Sequence, residues 1–216
     1  MYKILTKKIL NPTVTLMEVD APMIAKKAEP GQFIILRVDA EGERIPLTIA
    51  DFDREKGTIT IIFQIVGATT EKLNHLEEGE FIHDFVGPLG VPSHTEGLKK
   101  VAVVGGGVGC AIAYPIAKKL HHLGAEVHSI VGFRNKDLVI LEDEFKAASD
   151  VMKLMTDDGS HGEKGLVTNA LEELIKAGNQ YDEVIAIGPL VMMKFVCKLT
   201  KEYGCLLYTS PSPRDR

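Results

Sequence analysis

The sequence predicts two domains: a β-rich N-terminal unit over residues 1–97, built as a small antiparallel barrel or sandwich, and an α/β unit with a parallel sheet over residues 98–204. Three observations predict this. Up to residue 97, short apolar runs alternate with turn residues at close spacing, the pattern of an all-β unit. From Lys99 onward, strand-length and helix-length segments alternate, which implies a parallel sheet with right-handed crossovers. Between them stands Val101-Ala102-Val103-Val104-Gly105-Gly106-Gly107-Val108-Gly109, an apolar strand running into four glycines within five residues. Such a run reads as a buried strand ending in a tight turn, whose bare backbone lets N–H groups approach a bulky anion, usually a diphosphate.

Composition bounds the function. At 216 residues, 45% apolar and 25% charged, the chain is an ordinary globular protein with room for one large or two small domains. A formal charge of −5 leaves no basic footprint for nucleic acid. The longest apolar stretch, Val101 to Ala117, is broken by glycines and Pro115, so no membrane span is expected. The opening Met1-Tyr2-Lys3-Ile4-Leu5 lacks the apolar core of a signal peptide. Cys110, Cys197 and Cys205 are odd in number and scattered, fitting neither a disulfide framework nor a zinc site, and a reducing cytoplasm is the expected compartment.

In the first unit the strand candidates are Thr13 to Val19, Phe33 to Val38 after the Glu29-Pro30-Gly31-Gln32 turn, Ile45 to Ala50, and Thr58 to Val66. Thr70 to Leu76 is its one helix candidate. Two places carry candidate chemistry. On Arg44-Ile45-Pro46-Leu47-Thr48, strand alternation puts Arg44, Pro46 and Thr48 on one side and Ile45 and Leu47 on the other. The planar fork of Arg44 suits an oxyanion, and Thr48 could hydrogen-bond a flat heterocycle lying along the strand. An edge strand with a surface arginine and a pairing-blocking proline explains the same residues. In Val66-Gly67-Ala68-Thr69-Thr70-Glu71, Thr70 stands where an N-cap belongs, and the free N–H groups of that helix start would receive a phosphate; a plain capped surface helix is the alternative. Gly87-Pro88-Leu89-Gly90 reads as a rigid exposed turn.

In the second unit, strands are expected at Val101–Val104, Glu126–Val131, Val151–Thr156 and Glu183–Ile187. Helices are expected at Ala111–Leu123, Glu142–Ala148, Val167–Ala177 and from about Val191 to Tyr203. Ligands of such sheets bind at the carboxyl ends of the strands. The loops there are 105–109, 132–134, 156–165 and 188–193. The dehydrogenase fingerprint fails twice: Cys110 replaces the third glycine, and the second strand ends in Gly132-Phe133-Arg134 with no acid at its tip. Arg134 could meet a ribose phosphate instead, which would favour NADP, or simply be solvated. Asp157-Asp158-Gly159-Ser160, with Gly162 and Gly165, forms a long polar loop that could bind Ca²⁺, though its spacing does not match an EF-hand loop, and could equally contact ribose or nicotinamide. His121 and His122 are expected on the surface at a helix end, and Cys110 as a small buried apolar residue rather than a nucleophile.

In this order, Arg44-x-Pro46-Leu47-Thr48, Gly67-x-x-Thr70, Gly106-Gly107-Val108-Gly109 and Gly188-Pro189-x-x-Met192 resemble the ferredoxin–NADP reductase superfamily, and within it the branch of dihydroorotate dehydrogenase electron-transfer subunits and the small subunit of NADH-dependent ferredoxin:NADP oxidoreductase. The resemblance covers residues 1 to about 204. It implies an N-terminal FAD-binding antiparallel β-barrel followed by an NAD(P)-binding α/β domain. It also implies roles. Arg44 would hold the FAD diphosphate, Pro46, Leu47 and Thr48 would line the flavin with Thr48 near N5, and Gly67, Thr69 and Thr70 would bind the diphosphate. NAD(P)H would lie on Gly106, Gly107, Val108, Gly109, Arg134, Asp157, Asp158, Gly188, Pro189 and Met192. Hydride would pass between nicotinamide C4 and flavin N5, chemistry that belongs to the cofactors and asks the protein only for alignment. The implied partners are a larger flavoprotein or iron–sulfur subunit and ferredoxin, with neither nucleic acid nor membrane.

Two departures stand out. Ile112 and a later Pro115 follow the glycine loop where many members have an earlier proline. Family members also carry a cysteine-rich C-terminal segment for a [2Fe-2S] cluster, and this chain has no such cysteines, so no metal ligands are assigned. After Gly204, residues 205–216 end in Ser-Pro-Ser-Pro-Arg-Asp-Arg, expected to be disordered. That string resembles translated adapter read-through, and the natural chain is expected to continue past Gly204. The leading functional expectation is an electron-transfer flavoprotein subunit. A non-catalytic nucleotide-binding or sensor module is the alternative, and an ordinary NAD dehydrogenase is weakened by Cys110 and the missing acid.

Overall fold

The computed structural model describes residues 1–209. The chain divides into two compact units, one over Met1–His94 and one beginning at Thr95. The composition change had suggested a boundary at 97/98.

The first unit contains, in order, β1 (Tyr2–Asn11), β2 (Val14–Asp20), α1 (Pro22–Ala25), β3 (Phe33–Arg37), β4 (Arg44–Asp53), β5 (Thr58–Gln64), α2 (Ala68–Asn74), β6 (Phe81–Ile82) and β7 (Asp84–Leu89). They form one seven-stranded sheet in the order β6-β1-β2-β5-β4-β3-β7, with antiparallel pairing throughout. The two outermost strands are separated by the single residue His83, so the edges of the sheet must come together. This nearly closes a barrel, which settles barrel against sandwich and leaves little free edge. Its interior is filled by Ile4, Met17, Val19, Ile34, Leu36, Ile49, Ile59, Ile61, Phe63 and Phe85.

Three features differ from the sequence reading. β1 holds Lys3, Lys7 and Lys8, which mask the alternation that buries Ile4. The Asp20-Ala21-Pro22 break opens a short second helix, α1, with Pro22 in its first turn, where the missing N–H has no intrahelical partner to lose. The expected exposed turn Gly87-Pro88-Leu89-Gly90 lies mostly within β7. Leu89 pairs with Phe33 and Val86 with Ile35, so Gly87 and Pro88 together stand opposite Ile34. This is a bulge, where a proline costs no ladder hydrogen bond.

The second unit contains β8 (Lys100–Gly106), a 3₁₀ turn at Gly107–Gly109, α3 (Cys110–His122), β9 (Glu126–Phe133), a 3₁₀ turn at Lys136–Leu138, α4 (Glu142–Ala147), β10 (Val151–Thr156), β11 (Glu163–Lys164), α5 (Val167–Lys176), β12 (Glu183–Ile187), α6 (Leu190–Glu202) and β13 (Leu207–Thr209). The six-stranded sheet runs β11-β10-β9-β8-β12-β13, parallel throughout. The order reverses between β8 and β12, the switch point of a doubly wound sheet. β8 and β12 are largely apolar and β9 is buried along most of its length, because helices cover both faces of a parallel sheet. The expected disorder from residue 205 does not hold for the described part. Leu207, Tyr208 and Thr209 pair with Val184, Ile185 and Ala186, since β12 would otherwise present an open edge to them. Residues 210–216, also expected to be disordered, lie outside the described residues.

Phe85 is wholly buried in the barrel. Phe85→Ala is expected to cost about 3–5 kcal/mol in urea unfolding, and a loss below about 1 kcal/mol would show that the barrel core is not packed as described.

Candidate functional site

The first candidate site lies on the outer face of the barrel. In β4, Ile45 and Leu47 pack on the barrel core and Ile49 is buried. Alternation therefore turns Arg44, Pro46 and Thr48 outward. Leu47, counted among the flavin contacts by the resemblance, belongs to the inward set and can offer a ligand only its backbone. Arg44 stands directly opposite Arg37 of β3. Like charges in such a pair repel, and the row needs a counter-charge. Asp84 of β7, paired with Arg37 on the other side, provides it. Arg37 Nε donates to Asp84 Oδ2 at 2.7 Å and Nη1 to Ala40 O at 2.9 Å, so Arg37 is clamped. Arg44 Nη2 reaches the same carboxylate oxygen only at 3.4 Å, and its side chain is 62% exposed. The row thus holds two arginines against one aspartate, and Arg44 is the looser of the two. The bond from His83, with Arg37 behind it, holds the Asp84 carboxyl below the usual aspartate range.

β5 runs antiparallel to β4, so the Gly67 turn after β5 returns to the end of the sheet where Arg44 begins β4. The ion pair between Lys72 of α2 and Asp39, in the β3–β4 connection, ties the helix to that end. Thr70 is not the N-cap that the sequence suggested. Gly67 is the N-cap and Thr70 sits three residues into the helix. Its hydroxyl reaches back, accepting from Val66 N at 2.9 Å and Gly67 N at 3.1 Å and donating to Gly67 O at 2.8 Å. This is the reverse arm of a capping box. Thr70 is buried, so it can offer a phosphate only its backbone N–H. The first intrahelical bond is Glu71 N to Gly67 O at 2.9 Å, which leaves the N–H groups of Ala68, Thr69 and Thr70 ahead of the helix ladder.

The second candidate site is the carboxyl edge of the parallel sheet. Ile187 of β12 pairs with Gly105 of β8, bringing Gly106–Gly109 beside Gly188–Met192. The two loops touch only because they lack side chains. A Cβ on Gly109 would lie 2.6 Å from Ile187 O and 2.7 Å from Gly188 Cα. A Cβ on Gly188 would lie 3.1 Å from Gly106 Cα, and one on Gly106 would strike Met192 and Pro189. Gly107 has φ +54°, a left-handed turn suited to glycine. Val108 sits within the 3₁₀ turn between them. Cys110 is wholly buried and burial pushes its thiol pKa far up, so it is no nucleophile.

On the other side of β8, Thr156 of β10 pairs with Phe133 of β9, which brings Arg134 and Asp157-Asp158 together. Asp157 N donates to Phe133 O at 3.1 Å and Asp158 N to Arg134 O at 3.4 Å. Asp158 Oδ1 accepts from Ser160 Oγ at 2.6 Å and Ser160 N at 2.9 Å, and these bonds hold its carboxyl below the usual range. Ser160 Oγ also accepts from Lys136 N at 2.8 Å, fastening the 157–165 loop to the one after β9. Glu142 of α4 holds His161 Nε2 at 2.7 Å, and Thr156 Oγ1 donates to His161 O at 2.6 Å. Arg37, Asp84, Glu142 and His161 were not singled out from sequence. Only a cross-strand register or a loop closure shows them, and neither leaves a local signal. His121 and His122 lie exposed in the last turn of α3, as expected.

A nearly closed antiparallel barrel followed by a doubly wound parallel sheet defines a ferredoxin reductase-like two-unit protein. A chain in the structure of NADH-dependent reduced ferredoxin-NADP oxidoreductase superposes with a TM-score of 0.92 at 38% identity, covering 99% of this chain and 76% of that one. The dihydroorotate dehydrogenase B (NAD(+)) electron transfer subunit homolog of Thermotoga maritima is 45% identical over 195 residues, 90% of this chain and 68% of that protein. A Clostridium beijerinckii protein named "Uncharacterized protein in adh 3'region" is 49% identical over 221 residues, 99% of this chain and 75% of its own length. No protein-family profile matches the chain. The chain belongs to the family of dihydroorotate dehydrogenase B electron transfer subunits and their homologues.

Thr70→Val removes the acceptor of two N–H groups and is expected to cost about 1–3 kcal/mol in chemical unfolding. Thr69→Val should stay within about 0.5 kcal/mol, and equal losses would refute the capping assignment. Because the folded-state pKa of Asp84 lies below its unfolded value, its contribution is intact above the ordinary aspartate range and is lost only as pH falls through the lower folded value. A carboxyl titration followed by NMR should place the Asp84 midpoint below that of free aspartate; a midpoint at or above it would remove the counter-charge role.

Proposed function

We propose that this chain is an electron-transfer flavoprotein subunit that takes hydride from a reduced nicotinamide dinucleotide onto FAD and passes electrons to a partner. The observation that carries the reading is the Arg44 row: an outward cation, only loosely held by Asp84, at the start of a strand whose outer face continues as Pro46 and Thr48. That arrangement fits a ligand with an anionic diphosphate and a flat ring. The glycine-bared edge at Gly106, Gly109 and Gly188 fits a second dinucleotide. Family membership supports both assignments.

When bound, the flavin would accept a hydride and release electrons singly, which joins two-electron to one-electron traffic. The chain's own residues bind and orient. Arg44 leaves Asp84 to Arg37 and turns its fork to the diphosphate. The N–H groups of Thr69 and Thr70, at the turn that Gly67 opens, take the remaining oxygens. Thr48 hydrogen-bonds the ring edge near N5, and Pro46 supports its face. On the second unit, Gly106–Gly109 and Gly188–Met192 receive the nicotinamide half. Arg134, Asp157 and Asp158 receive the ribose end. The three cysteines include a wholly buried one and an exposed one and do not fit a four-cysteine [2Fe-2S] site. The acceptor is a larger subunit, in keeping with relatives named as subunits, or ferredoxin.

The purified protein is expected to show flavin absorbance that bleaches anaerobically on adding NADH; a colourless protein that cannot be loaded with FAD would sink the reading. Arg44→Ala should weaken FAD binding about tenfold to a hundredfold, the worth of a charge-assisted bond. Gly107→Val should keep FAD and lose NADH-driven bleaching. Unchanged flavin occupancy in the first variant, or unchanged reduction in the second, removes the respective assignment.

A further inference from the structure

We infer that His161 is a positioning residue for the dinucleotide of the second unit: through Glu142 it hangs the 157–165 loop from α4 and sets where Asp157 and Asp158 stand. The inference rests on the dinucleotide reading above and adds the strut that holds its ribose-end loop. It begins with how the loop closes. Thr156 Oγ1 donates to His161 O at 2.6 Å and accepts from His161 N at 3.3 Å. Gly162 follows at φ +66°, so close to β10 that a Cβ would lie 2.2 Å from Leu154 O. Gly165 N then returns to Thr156 O at 3.0 Å. Residues 157–160 therefore form an arc with both ends pinned, one at Thr156 and the other at the His161 backbone. Asp157 and Asp158 ride on that arc.

The His161 side chain reaches out of the arc to α4. Its Nε2 stands 2.7 Å from Glu142 Oε2. A carboxylate can only accept, so Nε2 carries the hydrogen. Lys146 Nζ takes Glu142 Oε1, also at 2.7 Å. Lys146 and, after it, His161 hold the Glu142 carboxyl below its usual range, so it stays an ionised acceptor. Glu142 is firmly anchored. Ile140, Leu141 and Phe145 around it are buried, and the Phe145 ring meets Tyr114 edge-on at 5.7 Å. Leu141, just before Glu142, has φ +58°. The left-handed region is unfavourable for a leucine, and such a residue persists where its surroundings hold it. Here its buried side chain holds it, and the turn it makes starts α4 at Glu142.

The arc is thus held from two flanks. Ser160 Oγ takes Lys136 N at 2.8 Å on the β9 side, and Glu142 takes His161 on the α4 side. Without the second, the arc can turn about the first. That matters for carboxylates that receive ribose hydroxyls, because a hydrogen bond is lost once its partners separate beyond about 3.2 Å. A strut from a packed helix presets the loop, so that binding does not have to order it. Its loss is felt in affinity and not in the hydride step, which takes place at the other end of the dinucleotide.

The test uses the flavin-loaded full chain with NADH and, separately, the flavin-free chain with ADP-ribose, which carries the riboses and diphosphate without the nicotinamide. The His161 side chain is half-buried, so His161→Ala opens no cavity in the core. His161→Ala is expected to raise the NADH concentration that half-saturates anaerobic flavin reduction about fivefold or more, and to weaken ADP-ribose binding by a like factor. The limiting reduction rate should stay within about twofold. His161→Gln, whose amide nitrogen can replace Nε2 as donor, should restore both affinities. Glu142→Ala should match His161→Ala, and the double variant should lose no more than either single one. Lys146→Ala removes only the exposed second partner of Glu142 and should stay within about twofold. The inference is overturned if His161→Ala leaves both affinities unchanged, if it slows the limiting rate at unchanged affinity, if the two losses add, or if His161→Gln fails to restore binding. A wild-type chain that binds neither NADH nor ADP-ribose would instead fail the dinucleotide reading itself.

Discussion

The second unit depends on one constraint: β8 and β12 must end almost in contact. The space between Gly109 and the Ile187 carbonyl has no room for a Cβ, and a Cβ on Gly188 would lie 3.1 Å from Gly106 Cα, tighter than ordinary contact. A side chain at Gly109 would force the facing backbone to shift. The bare backbone that permits the contact also leaves room for a diphosphate. The rest of the edge is fastened to this centre. Thr156 and Phe133 stay in register, Asp158 and Ser160 shape the next loop, and Glu142 holds His161 from the helix side.

The barrel meets a different constraint with similar means. A strand one face of which is core must show its other face to solvent or to a ligand. In β4 the inward set is Ile45, Leu47 and Ile49, which fixes Arg44, Pro46 and Thr48 outward. Arg44 then faces Arg37, and Asp84 offsets one of the two charges. An isolated reading of β4 finds an arginine on a strand. The pairing with β3 and β7 turns it into a cation that shares one carboxylate with Arg37 and is the more loosely held of the two.

Much of this was legible in the chain, for physical reasons that differ by element. The parallel strands β8 and β12 stand out because the runs Val101–Val104 and Val184–Ile187 are buried on both faces and apolar without interruption. The glycine runs stand out because few sequences place four glycines in five residues. β1 was not visible because Lys3, Lys7 and Lys8 break its apolar run, and the side chain of Lys7 is buried through its bonds to Asn74 O and Glu77. The Thr70 cap was misplaced because a threonine at the start of a helix can serve either arm of a capping box, and only the direction of its hydroxyl tells which.

The sequence by itself determined the two-unit order, the alternation on β4 and the presence of glycine loops at the ends of β8 and β12. These follow from periodicity and from side-chain absence, which are local properties. Tertiary structure alone decided that Arg44 shares a row with Arg37 and Asp84, that Gly106 lies against Gly188, and that Leu207–Thr209 add to the sheet beside β12. Those are matters of register between segments far apart in the chain. A strand's partners and its offset against them are set by how the whole sheet closes, not by the residues of any one strand.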